Sequence, residues 1–139
     1  MGQTINNSDI PPFSEPYLAR QINVAATTDT QVMRVPYNLG DKTTRFFPTR
    51  LIIRNKDAAT AVTVSFWDTD LTAPAATITA GANGAAATPL FGVNLLAAST
   101  EKIIEFTPGI STLWLHLGLA VKLGGAQSVD ILLEGYMQY

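Results

Sequence analysis

The sequence predicts an all-β protein: an antiparallel β-sandwich of jelly-roll type, with about eight strands and an extended N-terminal arm. Two observations predict the sandwich. Short runs of residues alternate between apolar and polar side chains, and clusters of Gly, Pro, Asn and Asp separate these runs at regular intervals. A helical period of 3.6 residues is weak everywhere, and its best candidate is a turn or two within residues 91–99.

The chain of 139 residues has the length of one compact domain. Residues 1–16 predict an extended arm, because its prolines exclude helix and the centre of a sheet. Residues 17–139 are expected to form a single β-sandwich domain. The arm residues expected to contact a neighbouring subunit are Ile5, Ile10, Pro11, Pro12, Phe13 and Pro16.

Strand patterns follow the arm in order. The predicted strands are residues 18–25, 31–37, 50–55, 61–67, 77–80, 102–106, 112–123 and 128–139.

The alternation is clearest near the C-terminus. In residues 113–123 the odd-numbered positions are all aliphatic, which predicts that Leu117 and its companions face the core together. Residues 124–127 have a length that suits an antiparallel hairpin to the last strand. Residues 71–89 are rich in Ala, Thr and Gly, and we expect an exposed excursion there around one weak strand.

The low charge of the chain predicts permanent contact with neighbours. Only 14% of the residues are charged, nine Lys and Arg against eleven Asp and Glu, whereas about a quarter is typical. A surface with few charges loses little on desolvation, which suits a subunit interface. The net charge of −2 also lacks the basic excess expected of a nucleic-acid-binding protein. No membrane-spanning run is predicted.

A search for catalytic or metal-binding patterns favours a protein without enzymatic activity, cofactor or metal. No cysteine is present, and the single histidine, His116, lies in a predicted strand, which favours a structural or interface role. Asp68 and Asp70 lack the further ligands of a calcium loop, so we expect their carboxylates to bond to backbone. The arginines at 45, 50 and 54 are expected to pair with acidic neighbours rather than to hold nucleic acid.

A carbohydrate- or receptor-binding module is the alternative. Aromatic rings near a strand end can stack on sugars, and the candidates for such a platform are Trp67 and Trp114, with Tyr136 and Tyr139 as further rings. The competing interpretation places both tryptophan rings in the core or in an interface.

A Pro-containing arm, a Thr- and Ala-rich β pattern, the absence of cysteine and a chain that ends on a strand resemble small structural proteins of tailed-phage virions. The run Leu-Ile-Ile-Arg-Asn-Lys-Asp at 51–57, followed by Ala-Val-Thr-Val at 61–64, is similar to hairpins in those proteins. Among them the chain looks most like capsid decoration or cement proteins. The resemblance implies a homo-oligomer, a trimer as in that group, on the outer capsid surface of a virion. Its partner would be the major capsid protein or another virion protein.

Overall fold

A computed structural model of the chain describes residues 14–35, 44–71, 77–79, 88–106, 113–125 and 128–138. Within these ranges the chain forms eight β-strands and no helix. The strands are Ser14–Ala25 (β1), Thr30–Arg34 (β2), Arg45–Asn55 (β3), Val62–Asp68 (β4), Leu90–Leu96 (β5), Glu101–Glu105 (β6), Gly118–Gly124 (β7) and Ser128–Gln138 (β8).

The strands form two antiparallel sheets of four strands. Sheet I has the order β1-β8-β3-β6, and sheet II has the order β2-β7-β4-β5. Their inner faces supply one shared cluster of buried side chains, which includes Leu51 and Leu133 of sheet I and Val64 and Val121 of sheet II. The prediction of an all-β antiparallel sandwich is therefore confirmed.

The pairing of strands is nested along the chain. Strand β1 pairs with β8, β2 with β7, β3 with β6 and β4 with β5, so the first half of the chain runs antiparallel to the second half. Two further pairings, β3 with β8 and β4 with β7, join these pairs into the two sheets. As a result, the first and last strands lie side by side in sheet I.

Alternation sorts the side chains of sheet I into a core face and an outer face. In β8 the core side chains Val129, Ile131, Leu133 and Met137 are buried. Period-two geometry therefore turns Leu132, Glu134 and Tyr136 to the outer face. The outer face of sheet I is thus a regular array of rows that strand register defines.

The long alternating run at 113–123 is interrupted in the structure. Strand β7 begins only at Gly118, and Leu117 is exposed although its neighbours Leu115 and Leu119 are buried. Residues 116 and 117 form a bend, and Gly118 has a φ of 147°. The bend turns Leu117 away from the core, so the prediction that it faces inward was wrong.

Three other local predictions are corrected. Residues 91–99 are not helical, because residues 90–96 form β5 at the edge of sheet II. Residues 77–79 carry no strand. The connection after Gly124 is not a hairpin, because β7 belongs to sheet II whereas β8 belongs to sheet I. Turn residues indicate that the chain reverses there, but they do not specify which sheet the next strand joins.

The boundary of the arm also moves. Strand β1 begins at Ser14, and Pro16 lies within it, opposite Tyr136 of β8. A proline is tolerated there because β1 is an edge strand of sheet I. Residues 14–16 therefore belong to the sandwich rather than to the predicted arm, and residues 1–13 lie outside the described part of the chain.

A hydrogen bond between Lys102 and Asn94, here called the lock, joins the edge strands β5 and β6 at the open side of the sandwich. Lys102 of β6 lies opposite Ile53, a core residue, and its ammonium donates to Oδ1 of the buried Asn94 of β5 at 2.8 Å. An inward-pointing charge on an edge strand discourages pairing with another sheet. We expect this charge to disfavour pairing of β6 with a strand of another molecule.

We expect Lys102→Met to lower the free energy of unfolding by about 1–2 kcal/mol, because the buried amide oxygen of Asn94 loses its charged donor. Urea unfolding measures the change. Lys122→Met is the matched control, since its ammonium lies 3.4 Å from the Ile78 carbonyl and that weaker contact predicts a smaller loss. Equal losses in the two variants would contradict the proposed role of the lock.

Candidate interaction surface

Strand register assigns the outer face of sheet I to four rows. Each row crosses the strands in the order β1, β8, β3, β6 as far as its register is defined. The first row joins Pro16, Tyr136 and Phe47; the second joins Leu18, Glu134, Arg50 and Glu105; the third joins Arg20, Leu132, Ile52 and Ile103; the fourth joins Asp130, Arg54 and Glu101.

Several apolar side chains on this face are exposed to solvent. Leu18 is 61% exposed, Ile103 is 51% exposed and Tyr136 is 48% exposed. Leu132 and Ile52 lie between them in register and are half-buried. Single exposed apolar residues are ordinary, but a group that spans all four strands of one face makes this face the candidate interaction surface.

The charges on this face largely neutralise one another at its centre. Arg50 donates from Nε and Nη2 to the two carboxylate oxygens of Glu134, at 3.0 and 2.9 Å. Hydrogen bonding to Glu134, and then its negative charge, raise the pKa of the Arg50 guanidinium above its ordinary value. The expectation that this arginine pairs with an acidic neighbour is confirmed. The pair is bidentate, the geometry that guanidinium and carboxylate groups favour.

A groove of about 340 Å³ lies between β1, β8 and β3 on this face. Its apolar lining includes Pro16, Leu18 and Tyr136, and Glu134 and Thr49 contribute polar groups. Thr49 lies at a β-bulge, where the register of β3 against β8 shifts by one residue between Pro48 and Arg50. The Thr49 hydroxyl donates to the Glu134 carbonyl at 3.2 Å, which fixes the bulge beneath the groove.

Of the arm residues predicted to make contacts, only Pro16 is described. It is exposed and lines the groove. The remaining predicted contact residues, Ile5, Ile10, Pro11, Pro12 and Phe13, lie outside the described residues.

Trp67 lies in a small second core on the outer side of sheet II. It is 7% exposed and packs with Leu71, Ile78 and Ala120. Its indole nitrogen has no hydrogen-bond partner among the described residues. Residues 71–89 were predicted to be exposed, but Leu71 and Ile78 are buried against the outer side of sheet II. The prediction was therefore wrong at these two residues. The burial of Trp67 leaves little of its ring accessible for stacking on a sugar.

Trp114 contacts two side chains, Arg45 at the start of β3 and His116. The guanidinium carbon of Arg45 lies 4.3 Å from the indole centroid, and the imidazole of His116 lies 3.6 Å from it. His116 is exposed, and Trp114 is half-buried. The ring of Trp114 is therefore already in contact with two polar side chains, a cation–π contact among them.

Asp68 fixes the bend that precedes β7. Its Oδ2 accepts from the backbone N–H of His116 at 2.9 Å. Its Oδ1 accepts from the N–H groups of Leu117 at 2.9 Å and Gly118 at 3.1 Å. Asp70 instead pairs with Arg34 at 2.7 Å. The prediction of carboxylate-to-backbone bonding is confirmed for Asp68, with partners distant in sequence.

Within the described ranges, no group of three or more His, Cys, Asp or Glu side chains has an arrangement that could hold a metal ion. Nor does that part of the chain contain a helix long and apolar enough to cross a membrane.

Sequence analysis did not single out Leu18 and Leu132 as interaction residues, and it considered Tyr136 only as a possible sugar-stacking ring. The signal was available in the last strand, where Leu132 and Tyr136 alternate with the buried set and so must face away from the core. Apolar residues on the outer side of a strand are a sequence indication of a covered surface. For Ile103, by contrast, the face depends on the register with β3, which the sequence does not reveal.

The comparisons with known proteins add no assignment to this surface. No protein-family model matches the chain, and no curated protein matches its sequence.

Proposed function

We propose that the protein is a structural subunit without enzymatic activity, which associates with copies of itself and decorates a larger shell. The outer face of sheet I carries the proposal. That face exposes Leu18, Ile103 and Tyr136 in a chain with few charges, and its central ion pair is internally satisfied. Such a face loses little free energy on leaving water and gains from covering its apolar side chains.

The strand pairing supports the same proposal. Nested antiparallel pairs wrapped into two sheets are the connectivity of a jelly roll, which we infer for this chain. Jelly rolls occur in viral capsid proteins, but also in lectins and cupins. This connectivity is therefore compatible with a virion protein, but it does not distinguish one from a lectin or a cupin. The proposal of a virion subunit depends instead on the outer face of sheet I.

The context follows from the resemblance to decoration proteins of tailed phages. We propose a homo-oligomer, trimeric as that resemblance implies, on the outside of a capsid. The residues that precede Ser14 would contribute to association together with sheet I. They contain two adjacent prolines and the apolar Ile5, Ile10 and Phe13.

Removal of residues 1–13 tests the proposal. Ser14 is the correct start, because a longer deletion through Pro16 would also remove residues of β1 that pair with β8. We expect the shortened chain to keep its β-type circular dichroism and to dissociate at least about tenfold more readily, a loss of about 1.4 kcal/mol in association. Sedimentation equilibrium measures the dissociation constant.

A full-length protein that is monomeric at high concentration would contradict self-association. A shortened chain that associates as strongly as the full chain would remove the N-terminal segment from the proposal.

A further inference from the structure

The groove on sheet I has the chemistry of a receptor for an extended, Pro-containing segment. Pro16, Leu18 and Tyr136 form an apolar lining open to solvent. The carboxylate of Glu134 is already paired with Arg50, so the groove does not present an uncompensated charge from that residue. Pro-rich extended segments bind grooves lined by aromatic and apolar side chains, because a preformed extended chain loses little entropy on binding.

The chain itself carries such a segment immediately before the first strand. Residues 10–13 read Ile-Pro-Pro-Phe, and the thirteen residues 1–13 contain a single charged side chain, Asp9. Two apolar side chains that flank two prolines match the apolar lining of the groove in chemical character. Few charges also mean a small desolvation cost.

We infer that the groove binds residues 10–13 of a second copy of this chain. The inference rests on the proposed self-association and names the surface that receives the exchanged segment. The direction of β1 favours a second copy over the segment of the same chain. Strand β1 runs from Ser14 towards Leu18, so the groove begins two residues further along the strand than Ser14.

The two prolines limit the ways in which the same chain could reach its own groove. Proline holds its φ near −65°, and the residue before a proline is restricted to extended conformations. Reaching Leu18 would require a reversal at Phe13, immediately beside Ser14, which is already paired with Gln138. The neighbouring groove of a second copy imposes no such reversal.

Disulfide trapping tests this assignment, because the chain has no cysteine of its own. Full-length Ile10→Cys, carrying an affinity tag, is mixed with untagged full-length Leu18→Cys under mild oxidation. Val93→Cys is the matched acceptor control, since Val93 is 64% exposed but lies in sheet II. We expect the mixed disulfide with Leu18→Cys to form about tenfold faster than with Val93→Cys, because docking raises the local thiol concentration.

A second measurement does not depend on thiol reactivity. Leu18→Lys and Tyr136→Ser place polar groups in the groove at exposed positions, and both variants should keep their circular dichroism. We expect each variant to raise the dissociation constant by roughly tenfold, as loss of an interface anchor does. Val93→Lys should leave the dissociation constant unchanged.

The outcomes separate the two proposals. If removal of residues 1–13 weakens association, but the groove variants associate normally and trapping is no faster than the control, the groove is not the receptor and the proposed function stands. A double variant, Ile10→Cys with Leu18→Cys, that closes a disulfide within a monomer would also overturn the exchange. If removal of residues 1–13 changes nothing, the role of the segment and this inference fail together.

Discussion

Gly135→Ala will destabilise the sandwich by about 3 kcal/mol, because the added methyl group would overlap neighbouring atoms of β3. A Cβ at position 135 would lie 2.3 Å from the carbonyl oxygen of Phe47 and 2.5 Å from Cζ of Phe46. Both distances are far below van der Waals contact. The obstacle includes the backbone of β3, and Phe46 is fully buried, so neither neighbour can move without disturbing the core.

Gly92→Ala provides the control for this prediction. Gly92 has a φ of 70°, but a Cβ there would meet no atom within 4 Å. Its replacement should cost only the conformational penalty of the left-handed region, about 1 kcal/mol. Urea unfolding of both variants separates a steric effect from a backbone effect. Similar losses in the two variants would contradict the close approach of β8 and β3 at Gly135.

The close approach also concerns the interaction surface. Gly135 lies opposite Pro48, beside the β-bulge of β3, and it helps to line the groove. A Gly135→Ala protein that remains folded is therefore expected to associate more weakly, because displacement of β3 would deform the groove. Sedimentation of the folded variant checks this effect separately from its stability.

Asp68→Ala will destabilise the protein by about 2–4 kcal/mol. One carboxylate accepts three backbone N–H groups, from His116, Leu117 and Gly118, and alanine leaves all three without that acceptor. Hydrogen bonds to a charged group contribute about 1.5–3 kcal/mol each in isolation, but water can reach the exposed part of the bend and offsets part of the loss. The bend before β7 should loosen, and a change in Trp114 fluorescence should accompany it.

Asp68→Asn gives an intermediate case. Asparagine keeps one acceptor oxygen but places an amide donor where Oδ2 faces the His116 N–H, so we expect about half of the loss. Asp70→Asn is the control, because Asp70 forms an exposed pair with Arg34 and such pairs contribute about 0–1 kcal/mol. A larger loss for Asp70→Asn than for Asp68→Ala would show that the bend does not depend on this carboxylate.

Sequence reasoning succeeded where one local rule decides the structure. In β8 the period of two separates Ile131 and Leu133 from Leu132 and Glu134, and the structure buries the first pair alone. It failed where a conformational detail interrupts the period. Leu117 has the right spacing for the core, but a bend held by the distant Asp68 turns it outward. The sequence did not indicate that β5 is a strand, because its inward residue Asn94 is polar. The amide oxygen of Asn94 accepts a hydrogen bond from Lys102 in the structure.

The sequence by itself determined the class of the fold and the side of most strands that faces the core. Both follow from interactions between residues close in the chain: alternation, turn residues and the restrictions of proline. Only the tertiary structure decided which strands pair, and therefore which side chains share a row. Leu18 and Tyr136 are more than a hundred positions apart, and only the pairing of β1 with β8 brings them to one groove. Register is a property of two strands at once, so neither strand encodes the surface alone.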